Sequence, residues 1–439
     1  MAISSRETRQ ARIAIRRPAA NPALEYLPDF LVAMIIMFMP MRLFGTGPLT
    51  TLIWIACALL LIAYRPIPLG RTLLNWWPLL LVPIMMLLSF IWSEAPGISF
   101  RYGLQVLLTC VLGVYLARVL PPARLAVAMF LGMLVFCIAS IIGGQKGPSD
   151  TGMVLIGFTG SKNAMGYAAN MLVSAAAAVI FLPNMGPRMR LLGVVGILVG
   201  GYVVAVSASA TAVLLSFAIV ALFAVMCGMQ RFSPAARVVT IVAVAAVGSL
   251  FVVAGDDISN AIDSFVRDVL HKDPETLTGR SYLWAQADDL ISRRPLLGYG
   301  YQAIWLGDSS DSIGLLRWAN ITDGRSFNFH NTYRQIAVDI GLIGVGIFVA
   351  TLVVSLIAAM RQFILTPTVA TSFTFAFLLT TLAKSFTELV VGTFSAPTLL
   401  LFACCTYAFW RPPQPQTAKA PVSRSAPIRA SGAARRFKI

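Results

Sequence analysis

The recurrence of long apolar runs constrains this chain more than any other feature. A helix rises 1.5 Å per residue, so about 20 residues cross the ~30 Å hydrocarbon core of a bilayer. Such runs occur at 27–44, 48–64, 76–92, 102–119, 124–143, 164–183, 191–206, 210–228, 238–255, 332–359, 369–390 and 396–410, with 191–206 the least well marked. They predict an all-α polytopic membrane protein of about twelve transmembrane helices. Charged residues make up only 12% of the chain, too few to cover the surface of a soluble protein of 439 residues. Residues 1–26 carry Arg6, Arg9, Arg12, Arg16 and Arg17. The run behind them lacks a small-residue cleavage pattern, so it is read as the first span rather than a removable signal.

Basic residues in short loops set the orientation of a polytopic protein. With the N-terminus in the cytoplasm, the inner segments hold Arg65, Arg71, Arg118, Arg124, Arg188, Arg190, Arg231, Arg237 and Arg361, and the tail holds Arg411, Lys419, Arg424, Arg429, Arg435, Arg436 and Lys438. With the N-terminal arginines, that places 21 of the 34 basic residues inside. An even number of spans puts both termini inside and the segment 256–331 outside. The expected organisation is a basic N-terminus (1–26), spans one to nine (27–255), the outer loop (256–331), spans ten to twelve (332–410) and a basic disordered tail (411–439). The net charge of +16 is then the signature of this orientation and of attraction to lipid head groups, not of nucleic-acid binding. All six cysteines fall in the expected spans, so neither a disulfide framework nor a thiolate zinc site is indicated.

The outer loop is the one long polar interruption, and it contains both histidines, His271 and His330. Leu283, Trp284, Ala287, Leu290 and Ile291 recur at helical spacing, with Asp288, Asp289, Arg293 and Arg294 on the other side. The spacing predicts a short amphipathic helix over 281–294, closed by Pro295, lying on the membrane surface or on the bundle. A glycine-aromatic turn follows at Pro295 to Tyr301. The stretch 306–328 reads as polar and flexible, and Asn331 is the expected N-cap where the chain re-enters the membrane.

Three groups of residues follow one another here: Thr278-Gly279-Arg280 with Trp284; Pro295-Leu-Leu-Gly298-Tyr-Gly300 with Trp305; and His330-Asn331-Thr332-Tyr333 with Gly341-Leu342-Ile343-Gly344. Upstream stands Gly157-Phe-Thr-Gly160-Ser-Lys162-Asn163-Ala-Met-Gly166, and downstream Lys384-Ser-Phe-Thr-Glu388. In this order the motifs resemble the O-antigen ligase and polysaccharide polymerase (Wzy) superfamily, in a spelling like that of exopolysaccharide production proteins of the ExoQ type. The likeness spans roughly residues 75–410. It implies a GT-C-like architecture in the bacterial inner membrane with the loop in the periplasm. It also implies a metal-independent inverting glycosyltransferase that needs no cofactor. Its partners would be undecaprenyl-diphosphate-linked glycans as donor and acceptor, membrane lipids and a chain-length regulator.

The residues can perform that chemistry. Arg280 is permanently charged, forms bidentate contacts with phosphate oxygens and sits near a helix start, where free amides favour an anion. Lys162, beside Asn163 at the start of a span, offers a second cation. His330 is the candidate general base, because an imidazole titrates near ~6.5 and accepts a hydroxyl proton at neutral pH. Arg280 and His330 are therefore the candidate catalytic pair, and Lys162, Asn163, Arg325, Asn331 and Trp284 the candidate substrate-binding residues. No Asp-x-Asp motif is present; Asp273-Pro-Glu275 comes nearest.

Each residue also has a structural reading. His330 caps a helix start, Arg280 pairs with Asp288 or Asp289, and Lys162 snorkels to the head groups. Lys384 and Glu388 pair along one helix face. Arg42, Arg101 and Arg325 anchor the interface, and Trp284, Tyr299, Tyr301 and Trp305 form an aromatic belt rather than a sugar platform. Ligases of the superfamily often carry an arginine after a Ser-x-Ser segment; here the corresponding stretch is Ser207-Ala-Ser209-Ala-Thr211, without a cation. Lys162 or Arg325 would have to replace it, which favours a polymerase over a ligase. A polysaccharide transporter or flippase is the third reading, but no internal repeat is visible. His330→Ala separates the classes. A transferase loses glycan chain growth while lipid-linked repeats accumulate outside, whereas a transporter keeps forming long polymer, as gel analysis of cell-surface and lipid-linked glycan would resolve.

Overall fold

A computed structural model describes residues 25–41, 47–67, 69–149, 152–183, 185–253, 278–322 and 324–409. The N-terminal arginines, Arg42, residues 254–277 with His271, and the basic tail lie outside the described residues.

The described chain is mostly helical. Its helices are α1 (Leu27–Phe38), α2 (Gly47–Tyr64), α3 (Leu69–Trp76), α4 (Leu81–Leu88), α5 (Pro96–Val119), α6 (Pro122–Gly143), α7 (Lys162–Phe181), α8 (Pro187–Val206), α9 (Ala210–Met229), α10 (Pro234–Val253), α11 (Thr278–Arg293), α12 (Ala303–Leu306), α13 (Ser310–Trp318), α14 (Thr332–Leu365), α15 (Val369–Ser385) and α16 (Ala396–Phe409). Among the described residues seven stretches are long and apolar enough to cross a membrane: Thr72–Ile91, α5, α6, α7, α8, α9 and α14. Shorter apolar helices are α1, α15, α16, Leu49–Tyr64 and Pro234–Val244. The chain is a polytopic membrane protein.

Local chemistry sets the helix starts. Pro96, Pro122, Pro187 and Pro234 each open a helix, where the missing amide hydrogen costs nothing. Ser161 caps α7 by accepting from the Ala164 amide, and Thr368 and Thr371 form a capping box on α15. The core runs through α6 and α7. In lipid, helices associate by close packing rather than by hydrophobic transfer, so small residues mark the contacts. Ala168, Ala169, Ala175, Ala176 and Ala178 of α7 are buried. Gly193, Gly196 and Gly200 of α8 lie so close that a Cβ on any of them would strike Ile180, Phe130 or Val173. The six cysteines are free thiols, five of them buried.

Three features differ from the expectation. The fold is not purely helical, because β1 (Gln145–Ser149) and β2 (Gly152–Gly157) form an antiparallel hairpin between α6 and α7. Val154, Leu155 and Ile156 are too short a run to span and favour a strand. The stretch 306–328 is not featureless, since Ser309 caps the nine-residue α13. Finally, the helix after the loop is broken, with Ile340 and Gly341 at non-helical angles inside α14.

The break organises the loop. Carbonyls freed inside a membrane protein need internal partners. The Tyr299 amide donates to Val338 O at 2.8 Å, the Gly300 amide to Asp339 O at 2.9 Å, and the Leu342 amide to Pro295 O at 2.7 Å. The buried Asp339 carboxylate accepts from the Gln302 amide and from Gln335 Nε2, and Gln335 Oε1 in turn accepts from Trp305 Nε1 and the Phe329 amide. The far side of the turn is tied to the connection before α5 and to the first turn of α5. There Trp92 Nε1 donates to Leu297 O, and Ser99 Oγ to Tyr301 O. Over this seat Leu283, Ala287 and Leu290 of α11 pack with Tyr299, Ile304, Trp305, Leu315, Phe329 and Val338 into a small separate core. The amphipathic helix thus lies on the bundle, one turn longer at its start than expected.

Gly341 adopts φ +73° with ψ 179°, a region open essentially to glycine, and a Cβ there would overlap Leu296 O. Gly341→Ala is expected to destabilise the protein by about 3 kcal/mol or more, seen as a lower melting temperature of the detergent-solubilised protein.

Candidate functional site

The site forms where three segments distant in sequence meet: the first turn of α11, the approach to α14 and the segment after α15. The α15 helix ends at Ser385, its last carbonyls closed by the Thr387 and Glu388 amides, which donate to Lys384 O. Residues 386–390 then run as irregular chain across the start of α14. Asn331 caps α14 by accepting from the Arg334 amide, and its Nδ2 donates to Phe386 O at 3.1 Å. Thr332 Oγ1 donates to Glu388 O at 2.7 Å and accepts from the Val390 amide at 3.0 Å. Ser385 Oγ donates to the Tyr333 hydroxyl at 2.8 Å. Three consecutive residues, 331 to 333, are thereby fixed to 385–390.

This docking puts the Glu388 carboxylate at the centre. Its Oε1 accepts from the Arg280 guanidinium at 2.9 Å, and its Oε2 lies 3.0 Å from His330 Nδ1. The side chains of Arg280, His330 and Glu388 are 17%, 18% and 13% exposed, so the cluster is sheltered but not sealed. Burial alone would raise the Glu388 carboxyl. The His330 hydrogen bond and the nearby charges of His330, Lys384 and Arg280 outweigh it and hold the group below the usual carboxylate range. A carboxylate that stays ionised accepts the Nδ1 proton of His330 and leaves Nε2 as the basic nitrogen. Among the described residues no protein group hydrogen-bonds His330 Nε2, and the remaining nitrogens of the Arg280 fork have no partner either.

The His330 backbone is held in an unusual conformation, φ +50°. Its amide donates to Asn328 Oδ1 at 2.8 Å, and the Phe327 ring meets the imidazole edge to face at 5.3 Å. Left-handed backbone at a non-glycine residue is strained and is often found at functional sites. Behind Glu388, Lys384 is buried with its ammonium 3.6 Å from the centre of the Tyr167 ring.

The structure brings Arg280 and His330 together and revises their structural readings. Arg280 pairs with Glu388, not with an acidic residue of its own helix; Asp288 instead pairs with Arg334 and Asp289 with Arg293. Lys384 and Glu388 do not share a helical face, because the helix has ended between them. Asn331 is committed to capping and to Phe386. Trp284 donates Nε1–H to Phe329 O, and one face of its ring is covered by the Arg334 guanidinium at 4.9 Å. Tyr299, Tyr301 and Trp305 are buried in the bundle and loop cores, out of reach of a sugar. Lys162 Nζ donates to Ser149 Oγ of the hairpin at 2.6 Å, and Asn163 Oδ1 accepts from Ser209. Lys162 is five residues before Tyr167 on α7, about 7.5 Å along the axis, so the structure sets it beside the cluster rather than in it. Arg325 is in the described loop beside Ser326, which donates to Gln302. Among the described residues no group of three or more His, Cys, Asp or Glu side chains could hold a metal ion.

Sequence reasoning missed Glu388 as the hub, although a carboxylate at the end of an apolar run is costly and signals function. Residues 195–349, which include Arg280 and His330, match the family model described as O-antigen ligase. The chain is also 29% identical over 361 residues to the exopolysaccharide production protein ExoQ of Rhizobium meliloti (strain 1021), covering 81% of this chain and 80% of that one. The resemblance to O-antigen ligases and polysaccharide polymerases therefore stands.

Replacing the hub tests its electrostatics. Glu388→Gln leaves Arg280 and Lys384 uncompensated and should lower stability by about 3 kcal/mol. A depressed carboxyl contributes stability that is fully present above its ordinary range and is lost as pH falls through its folded value. The difference in melting temperature between wild type and variant is therefore expected to be full at pH 6 and to close below about pH 4.

Proposed function

We propose that this protein polymerises undecaprenyl-diphosphate-linked oligosaccharide repeats into an exopolysaccharide or O-chain at the periplasmic face of the inner membrane, by metal-independent inverting transfer. The observation that carries this reading is the Arg280–Glu388–His330 cluster, which pairs a base with a phosphate-binding cation. His330 Nε2 takes the proton of the acceptor hydroxyl, held in the right tautomer by Glu388 on Nδ1. The acceptor oxygen bonds to the anomeric carbon from the side opposite the diphosphate, and the carbon–oxygen bond to the diphosphate breaks. Arg280 swings from Glu388 to the departing diphosphate and stabilises its charge. General-base assistance of this kind contributes roughly 10²–10⁴-fold.

The proposed frame has about twelve spans, cytoplasmic termini and a GT-C-like arrangement, with the same division at 27–255, 256–331 and 332–410. Lys162, Asn163 and Arg325 are proposed to line the approach of the donor, and Trp284 and Asn331 to hold the substrate side of the His330 segment. Two observations favour polymerase over ligase: no cation stands in 207–211, and the relative matched along most of its length is called an exopolysaccharide production protein. The ligase reading, transfer of finished glycan to lipid A core or protein, is supported by the description of the family model.

Glycan analysis of a deletion strain decides between them. A polymerase deletion is expected to leave single repeats on the final carrier and no polymer. Unligated polymer on undecaprenyl diphosphate would mean a ligase, and normal polymer would refute both.

A further inference from the structure

Lys384 has no role in the reaction described so far, yet it is one of the costliest residues in the protein. It is 3% exposed, and among the described residues its ammonium is in no ion pair. A cation in the last turn of a helix is ordinarily explained by the helix dipole. That explanation does not account for an ammonium turned beneath the Tyr167 ring, 3.6 Å from its centre, in a site where Arg280 already balances the one carboxylate. Arg280 and Lys384 together face one Glu388. A buried positive surplus of this kind is stable where a negative charge arrives.

The geometry indicates what Lys384 does when that charge comes. In the resting site both carboxylate oxygens are occupied, Oε1 by Arg280 and Oε2 by His330 Nδ1. Once Arg280 turns to a diphosphate, Oε1 has lost its partner and Glu388 keeps only an imidazole. A sheltered carboxylate in that state takes up a proton, lets go of the Nδ1 hydrogen and weakens the base. Lys384 starts one turn below, and an aromatic face is a partner it can leave more easily than a carboxylate.

We infer that Lys384 is a positioning residue, a reserve counter-ion that keeps Glu388 ionised, and so His330 correctly oriented, while Arg280 is engaged with the donor diphosphate. This rests on the reading of Arg280 and His330 under Proposed function. The charged and titratable groups facing Glu388 are Arg280 from α11, His330 ahead of α14, Lys384 from α15 and Tyr167 from α7. Removing the Lys384 charge makes Glu388 easier to protonate, and a protonated Glu388 no longer orients His330, so the acid side of the rate profile must move to higher pH.

The test follows glycan chain growth against pH in permeabilised membranes containing their own lipid-linked repeats, for wild type, Lys384→Met, Lys384→Arg and His330→Ala. Lys384→Met is expected to move the acid limb up by about one pH unit, and Lys384→Arg to bring it back toward the wild-type position. An unmoved limb in Lys384→Met, with only a uniform loss of rate, overturns the inference and leaves Lys384 a packing residue. Continued chain growth in His330→Ala instead refutes the underlying reading. Wild-type protein supplies a readout that depends on no variant folding. With saturating undecaprenyl diphosphate occupying Arg280, the pH at which the melting temperature falls should stay where it is without the lipid. An upward move shows that nothing replaces Arg280 on Glu388 and overturns the inference; failure of the lipid to bind counts against the donor site itself.

Discussion

Backbone that cannot go unpaired inside a membrane is the constraint from which the rest of this structure follows. At Ile340 and Gly341 the long helix after the loop stops and restarts, and the carbonyls of Val338 and Asp339 lose their helical partners. The chain supplies new ones by bringing the turn at 295–302 into the gap. The turn brings Tyr299 and Trp305 with it, and they form the floor on which α11 packs. The first turn of α11 carries Arg280. On the other side, Gln335 ties the Phe329 amide to the same network and sets the position of His330. A break in one helix thus determines where two candidate catalytic side chains stand.

Glu388 turns that placement into an electrostatic device. One carboxylate shared between a guanidinium and an imidazole fixes both side chains with a single charge. It also makes their geometries interdependent, because neither can move without changing the partner of the other. The surrounding cations hold Glu388 ionised against the burial that would neutralise it. In the proposed reaction this dependence is useful: departure of the guanidinium towards a diphosphate alters the field at the imidazole during the same step.

Much of the fold could be read from local pattern. The spans are long apolar runs, and α11 was visible because Leu283, Ala287 and Leu290 recur at helical spacing and are indeed its buried face. The missed elements have physical reasons. In α13, Ile313, Leu315 and Leu316 follow Asp311 and Ser312 and are interrupted by Gly314, which dilutes the pattern. The helix break is silent in hydropathy because Ile340 and Leu342 continue the apolar run across it. Lys384 and Glu388 were read as a helical pair because four-residue spacing implies one only where the helix continues. The link from Arg280 to Glu388 spans 108 residues, and no local periodicity encodes a contact of that range. The motifs showed which residues matter, but not that 330–333 and 384–388 are two halves of one joint.

That joint has a consequence for biogenesis. The ribosome makes Arg280 first, His330 fifty residues later and Glu388 another 58 after that. Until the last of these emerges, the Arg280 guanidinium and the His330 imidazole lack the carboxylate that joins them. The helices can insert one by one, but the site closes only after α15 is in place and the chain beyond it crosses back over α14. A nascent chain halted at residue 380 would hold nearly all of its membrane helices and Arg280 and His330, but not the carboxylate that joins them. Quality control that senses unpaired sheltered charge would therefore read this protein as unfinished until almost its final helix.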